Sequence, residues 1–336
     1  MRVVVTGCAG FIGSQLTARL LQRQELPFAV SEVRGLDNFD ETLYPAQRHH
    51  QQLAPLLLQP DFHFVPGDLL DDSALAATLS GLGPDDVVVH LAALAGVRPS
   101  LLQADRYMRV NVEGTQRLLS ACQARGVRRV VFASSSSVYG ARSVVPFSED
   151  DLAVTPASPY AASKRAGELL CSTHAELYGT RIAALRFFTV YGPHQRPEMA
   201  IAKFARLIQS GQKVPLFGDG QTARDYTFID DILDGILGAM ARTADPQLGL
   251  RIYNLGGAHV TTLLQLVRYL EAALHQPADL DWQPNQPGDV PLTSASVTRA
   301  TTELGYAPKV GIEEGVRRYC AWLMQRASGS DSAQSG

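Results

Sequence analysis

Through the first half of the chain, short apolar runs rich in β-branched residues alternate with longer stretches whose apolar positions recur every three or four residues. The runs at 3–6, 33–37, 62–65, 87–91 and 130–134 predict strands, and the stretches at 12–23 and 107–125 predict helices between them. A further run at 182–187 predicts a strand after a helix that begins near residue 159. Strand–helix alternation of this kind predicts an α/β fold, a doubly wound parallel sheet covered by helices on both faces. After Gly192 the pattern becomes irregular and is broken by Pro193, Pro197 and Pro215. Runs at 225–229 and 251–255 are expected to return to the sheet, and residues 261–322 to complete a smaller C-terminal lobe. The expected division is therefore 1–185 with returning segments near 225–258, a lobe from 186–224 and 259–326, and a Ser- and Gly-rich disordered tail at 327–336. A cleft between two such lobes is the usual place for a small ligand.

The first strand runs into Gly7-x-x-Gly10-x-x-Gly13, which opens the first amphipathic helix. That context is what a dinucleotide turn requires. Gly7 permits the tight turn, Gly10 admits a pyrophosphate against the backbone, and Gly13 lets helix and strand pack closely. The helix N-terminus favours anions through its free N–H groups and its dipole. Asp37 ends the second strand, where a carboxylate accepts hydrogen bonds from an adenosine ribose and repels a 2′-phosphate. NAD is therefore the expected cofactor, on a Rossmann-type sheet. Asp68 ends the third strand and is placed to reach the adenine edge.

Tyr160 and Lys164 lie four residues apart at the start of the helix near residue 159. Positions i and i+4 share one helix face. An ammonium beside a phenol favours the phenolate, so Tyr160 is a candidate base near neutral pH. The spacing also arises on ordinary helix surfaces; the nucleotide turn in the same chain gives it chemical meaning, because together they supply a base and a hydride acceptor.

Composition adds exclusions. A net charge of −3 over 336 residues provides no basic stripe for nucleic acid. No apolar run reaches the ~18 residues of a membrane span, and an apolar strand run begins at the third residue, where a secretory leader is not expected. Cys8, Cys122, Cys171 and Cys320 are scattered and, with the histidines, form no metal spacing. Free thiols of a cytoplasmic protein are the expectation.

Several runs together resemble the extended short-chain dehydrogenase/reductase family of nucleotide-sugar epimerases and dehydratases. They are residues 6–13, His90-Leu91-Ala92-Ala93, Asn111, the serine run 134–137 with Val138-Tyr139-Gly140, Tyr160-x-x-x-Lys164 and Arg224-Asp225-Tyr226. The resemblance spans about 320 residues. It implies a Ser135–Tyr160–Lys164 triad, a tightly held NAD recycled within each turnover, a nucleotide-linked sugar as substrate, and a homodimer formed through helices near 107–125 and 159–178. It also implies NAD contacts from Gly7, Gly10, Phe11, Ile12, Gly13, Asp37, Asn38, Asp68, Leu69, Leu91, Ala92, Ala93, Asn111, Ser134, Tyr160 and Lys164.

Within the family, four runs resemble the UDP-glucuronate 4-epimerase branch: Ala95-Gly96-Val97-Arg98, residues 186–193, Arg196-Pro197-Glu198-Met199-Ala200 and Gln286-Pro287-Gly288-Asp289-Val290. Dehydratases and sugar-acid decarboxylases of the family carry acids where this chain has Ser136 and Ser137. Eliminating water needs an acid and a base beyond the tyrosine, and this run supplies neither. The resemblance implies that Ser135 steadies the C4 oxygen, that Lys164 lowers the tyrosine pKa and meets the nicotinamide ribose, and that Arg224 meets the pyrophosphate and Asp289 the uridine ribose. Arg98 and Arg196 join the substrate-binding set, and Ser136, Ser137 and Thr189 are expected to orient the sugar carboxylate by neutral hydrogen bonds. Gln195 stands where the branch usually has Gly, which leaves the local loop shape open. Two alternatives stay open at this point: a UDP-glucose/UDP-galactose 4-epimerase, and a non-catalytic NAD-binding sensor.

Overall fold

The computed structural model describes the whole chain except residues 24, 143, 258, 285–289 and 333–336. Strands β1 (Arg2–Thr6), β2 (Glu32–Asp37), β3 (Phe62–Pro66), β4 (Val87–His90), β5 (Arg129–Ser135) and β6 (Arg181–Phe187) fall where the apolar runs predict them. With β10 (Leu250–Leu255) they form a seven-stranded sheet in the order β10-β6-β5-β4-β1-β2-β3, parallel at every pair. Side chains alternate along these strands between two apolar cores. Val3, Val5, Val87, Val89, Val131 and Leu185 face one; Val4, Val88, Val130, Phe132 and Ile182 face the other. That alternation is the physical content of a doubly wound sheet.

Helices α1 (Phe11–Gln22) and α2 (Ala46–Leu57) lie on the first face; α3 (Asp72–Thr78) lies on the second. The expected single helix at 107–125 is more elaborate. After α4 (Val97–Leu102), α5 (Ala104–Met108) passes through a π-helical turn (Arg109–Glu113) into α6 (Gly114–Ala124). A π turn inserts an extra residue without breaking the helix and often marks a functional site; here it carries Asn111. The helix α7 (Pro159–Tyr178) is opened by Ser158, whose hydroxyl accepts from the Ala161 amide, and by Pro159 at its first position.

The run at 251–255 returns to the main sheet as expected, but the run at 225–229 does not. β9 (Ala223–Phe228) instead lies between β7 (Thr189–Tyr191) and β11 (Val260–Thr262) in a separate three-stranded sheet, because β10 already occupies the edge beside β6. A two-stranded sheet pairs β8 (Val214–Phe217) with β12 (Leu280–Gln283). Helices α8 (Ala200–Gln209), α9 (Ile229–Arg242), α10 (Leu263–Leu274), α11 (Thr298–Leu304) and α12 (Ile312–Ser332) complete the fold. Of the expected tail, residues 333–336 lie outside the described residues. α12 continues through residue 327 to Ser332, since extending an existing helix costs far less than nucleating one.

Candidate active site

The site opens at the carboxyl ends of the central strands, where strand order reverses between β4 and β1. Gly7 has φ +74°, and a Cβ there would meet the Ala92 amide nitrogen at 2.8 Å. A Cβ on Gly13 would stand 2.0 Å from the Gly7 carbonyl oxygen. Only glycine therefore allows α1 to press this closely on the strand. A Cβ on Gly10 meets nothing within 4 Å except that same oxygen, at 3.2 Å, so the backbone is open above it. Phe11 and Ile12 follow in the first turn of α1, where helix amides lack partners within the helix and no acid is present.

Asp37 is buried at the end of β2. Its carboxylate accepts from the amides of Ala9 and Phe39, both at 2.9 Å, which ties β2 to the glycine turn. Burial raises its pKa, opposed by those amide bonds. Asn38 donates to Asp68 at 2.6 Å, joining the ends of β2 and β3 into one polar edge, with Leu69 buried behind it. An open glycine turn, a helix N-terminus and a carboxylate on the neighbouring strand fit the pyrophosphate and ribose of NAD. The loop Leu91-Ala92-Ala93 is held against the turn: Leu91 donates to the Thr6 carbonyl and Ala92 to the Thr6 hydroxyl, each at 3.2 Å. The amide of Asn111 spans the Leu94 backbone, accepting at 2.8 Å and donating at 2.9 Å, and donates to Ser163 at 2.9 Å. Asn111, expected among the cofactor contacts, thus spends its side chain on positioning this loop.

Tyr160 and Lys164 share the inward face of α7. Lys164 is buried, donates to the Ala133 carbonyl at 2.8 Å and lies 5.4 Å from the Phe132 ring centroid. Tyr160 is half-buried and packs edge-on against Tyr107 at 6.2 Å. The hydroxyls of Tyr160 and Ser135 interact. Ser135 in turn accepts from the Ser137 hydroxyl at 2.9 Å and from its amide at 3.2 Å, where Ser136–Tyr139 forms a 3-10 turn. Ser134 points away and donates to Glu168 at 2.6 Å.

The electrostatics add a condition to the tyrosine–lysine reading. Burial raises the Tyr160 pKa, and the Ser135 hydroxyl and the Arg196 charge only partly offset it. Desolvation pushes Lys164 down to about 8. In the protein by itself Tyr160 is therefore a phenol, and Lys164 alone does not make it a phenolate.

Thr189 sits just beyond the β5–β6 pair that ends at Ser135 and Phe187. With Arg98 and Arg224 it lines a cavity of about 330 Å³ that also includes Phe217 and Tyr226. The Arg98 guanidinium lies 5.8 Å from the Phe217 ring centroid. Along β9, Arg224 and Tyr226 face this cavity. Asp225 faces the other way and accepts from the amides of Gly257 at 2.6 Å and Ala295 at 2.9 Å. Arg196 pairs with Glu198 at 3.2 Å, while its Nη1 is buried with no hydrogen-bond partner among the described residues. Asp289 and Gln286 lie outside the described residues. The sequence reading did not single out Tyr107, Phe217 or Glu168. Only Glu168 left a signal: it stands one further helical step along the Tyr160–Lys164 stripe.

The sequence profile of the NAD dependent epimerase/dehydratase family matches residues 3–256. The chain is 38% identical to UDP-glucuronate 4-epimerase 3 of Arabidopsis thaliana, over 99% of its length and 79% of that protein. It is 37% identical to UDP-glucuronate 4-epimerase of Thermodesulfobacterium geofontis, over 95% of each chain. Among solved structures it resembles UDP-glucuronic acid 4-epimerase from Bacillus cereus in complex with UDP-glucuronic acid and NAD. That match has a TM-score of 0.88 and 34% identity, and covers 97% of this chain and all of that one. Glycine turn, tyrosine–lysine stripe and full-length similarity agree: the chain belongs to the NAD dependent epimerase/dehydratase family.

Proposed function

We infer that this protein inverts C4 of UDP-glucuronate to give UDP-galacturonate, through a transient 4-keto sugar and with NAD as cofactor. The observation that carries this reading is the serine turn. Ser135 meets Tyr160, and the next two positions, Ser136 and Ser137, offer hydroxyls rather than the acid and base that a dehydration needs. Full-length relatives that carry the UDP-glucuronate 4-epimerase name support the same substrate.

In this reading Gly7, Gly10, Phe11, Ile12 and Gly13 hold the NAD pyrophosphate. Asp37 and Asn38 hold the adenosine ribose, Asp68 and Leu69 the adenine edge, and Lys164 the nicotinamide ribose. Bound NAD supplies the hydride acceptor for C4, and its oxidised ring brings a positive charge that favours the Tyr160 phenolate. Tyr160 Oη takes the C4 hydroxyl proton and later returns it. Ser135 donates to the C4 oxygen as it becomes a carbonyl. Arg224, facing the cavity, anchors the pyrophosphate of the sugar nucleotide while the keto sugar turns over, so remote binding energy serves the chemistry. Asp289 remains assigned to the uridine ribose on resemblance alone.

A C4 ketone lies β to the C6 carboxylate, and such acids lose carbon dioxide when the breaking bond aligns with the carbonyl π system. Ser136, Ser137 and Thr189 hold the carboxylate out of that alignment. The unpartnered Nη1 of Arg196 gives the carboxylate a charged donor, which opposes the loss of its negative charge.

Incubation with UDP-glucuronate and, separately, UDP-glucose, followed by NMR of the anomeric protons, tests this reading. UDP-galacturonate is the expected product, and Tyr160→Phe abolishes it. Conversion of UDP-glucose alone selects the glucose epimerase, and NAD retention without turnover selects the sensor. We also propose a homodimer and a reducing, cytoplasmic setting. The dimer is supported by outward-facing Leu169 and Leu177 on α7, 55% and 65% exposed, and the setting by four buried free cysteines. No helix among the described residues is long and apolar enough to cross a membrane. Light scattering that gives the 36.3 kDa of a single chain would remove the dimer.

A further inference from the structure

A buried ionic cluster lies directly beneath the triad. Glu168 follows Lys164 by four residues on α7, and its side chain is fully buried. One carboxylate oxygen accepts from the Ser134 hydroxyl at 2.6 Å and from Arg186 Nε at 2.8 Å. The other accepts from Arg186 Nη2 and from Arg165 Nη1, both at 2.8 Å. Burial alone would raise the Glu168 pKa, but Arg186, Ser134 and Arg165 outweigh it, so the group is a carboxylate. Arg186 passes under the serine turn and lies 4.7 Å from the Tyr139 ring centroid.

These contacts form a ladder. Three consecutive residues of β5, Ala133, Ser134 and Ser135, are tied in turn to Lys164, Glu168 and Tyr160 of α7. Desolvating an ion pair costs about as much as its attraction returns, so stability alone does not account for placing one here. We propose that Glu168, through Ser134 and Arg186, is a positioning residue that fixes the register of Ser135 against Tyr160. Glu168 touches neither the phenol nor the substrate; it acts through β5 and the serine turn. This inference rests on the reading of Tyr160 as the base.

The test is Glu168→Gln, which keeps the shape and removes the charge, with Ser134→Ala as a variant that leaves the ion pair to support folding. Glu168→Gln is expected to lower kcat by about tenfold or more with KM for UDP-glucuronate nearly unchanged, the pattern of a lost alignment. Ser134→Ala removes one rung and is expected to lower kcat by about threefold at constant KM. Folded variants of both kinds with wild-type kcat, changed only in Tm, would overturn the proposal. An inactive wild-type enzyme on UDP-glucuronate would instead overturn the functional reading on which it rests.

Discussion

The two ends of the cleft are built by opposite means. At the nucleotide turn, backbone makes the surface: Gly7, Gly10 and Gly13 matter for the atoms they lack, and one short segment supplies nearly everything. At the sugar end, side chains make the surface. Ser135–Ser137, Tyr160, Thr189, Arg98, Arg196 and Arg224 come from six separate stretches of sequence, on helices, strands and turns. A backbone site tolerates almost no added atom, whereas a side-chain site can lose one donor and keep the rest. The first should fail abruptly under substitution and the second by degrees.

The sharpest way to break this contrast is Gly13→Val. Its Cβ alone would sit 2.0 Å from the Gly7 carbonyl oxygen, so α1 must move off the turn. NAD affinity measured by calorimetry should fall by about a hundredfold or more, with a lower Tm, because backbone cannot yield as a flexible side chain does. Intact NAD binding would erase the distinction between the two ends.

A smaller effect is expected at the sugar end. Thr189→Ala removes one neutral donor from the cavity wall and leaves Ser136, Ser137 and Arg196. Loss of one such hydrogen bond is worth about 0.5–1.5 kcal/mol, a KM increase of several-fold, accompanied by some release of the decarboxylated pentose nucleotide. Unchanged KM and product ratio would remove Thr189 from the carboxylate site.

The smallest effect separates stability from activity within the triad itself. Lys164 is buried with its pKa lowered to about 8 from an ordinary value of 10.5, so its charged form is penalised on folding. That penalty is present in full below pH 8. It is relieved as pH rises from about 8 towards 10.5, where the unfolded chain holds the extra proton. Lys164→Met should therefore stabilise the protein at pH 7 by about 1–2 kcal/mol while destroying turnover, and the gain should shrink as pH rises through that window. Denaturant melts at pH 7 and pH 10 check the sign. A Lys164→Met protein that is less stable at pH 7 would show that the Ala133 hydrogen bond outweighs desolvation.

Legibility in the sequence follows the same division. All seven strands of the main sheet, the glycine turn and the Tyr160–Lys164 stripe are local patterns, with a period fixed by backbone geometry, and could be read directly. The Ser134–Glu168–Arg186 cluster could not, because its members lie 18 to 52 residues apart, and the place of Glu168 on the Tyr160–Lys164 stripe does not name its partners. β9 was misplaced for a related reason. Its apolar pattern announces a strand but not which sheet has an edge free to receive it. The π turn at Arg109–Glu113 was invisible because its side-chain pattern is that of any helix.

By itself, then, the sequence determined the parallel sheet, the dinucleotide turn and a tyrosine–lysine pair on one helix face, since each depends on spacing within a few residues. Tertiary structure alone decided how burial bears on the charges of that pair. Burial of Tyr160 and Lys164 works against the phenolate that their spacing suggests. Desolvation is set by everything packed around a group, and no short stretch of sequence contains it.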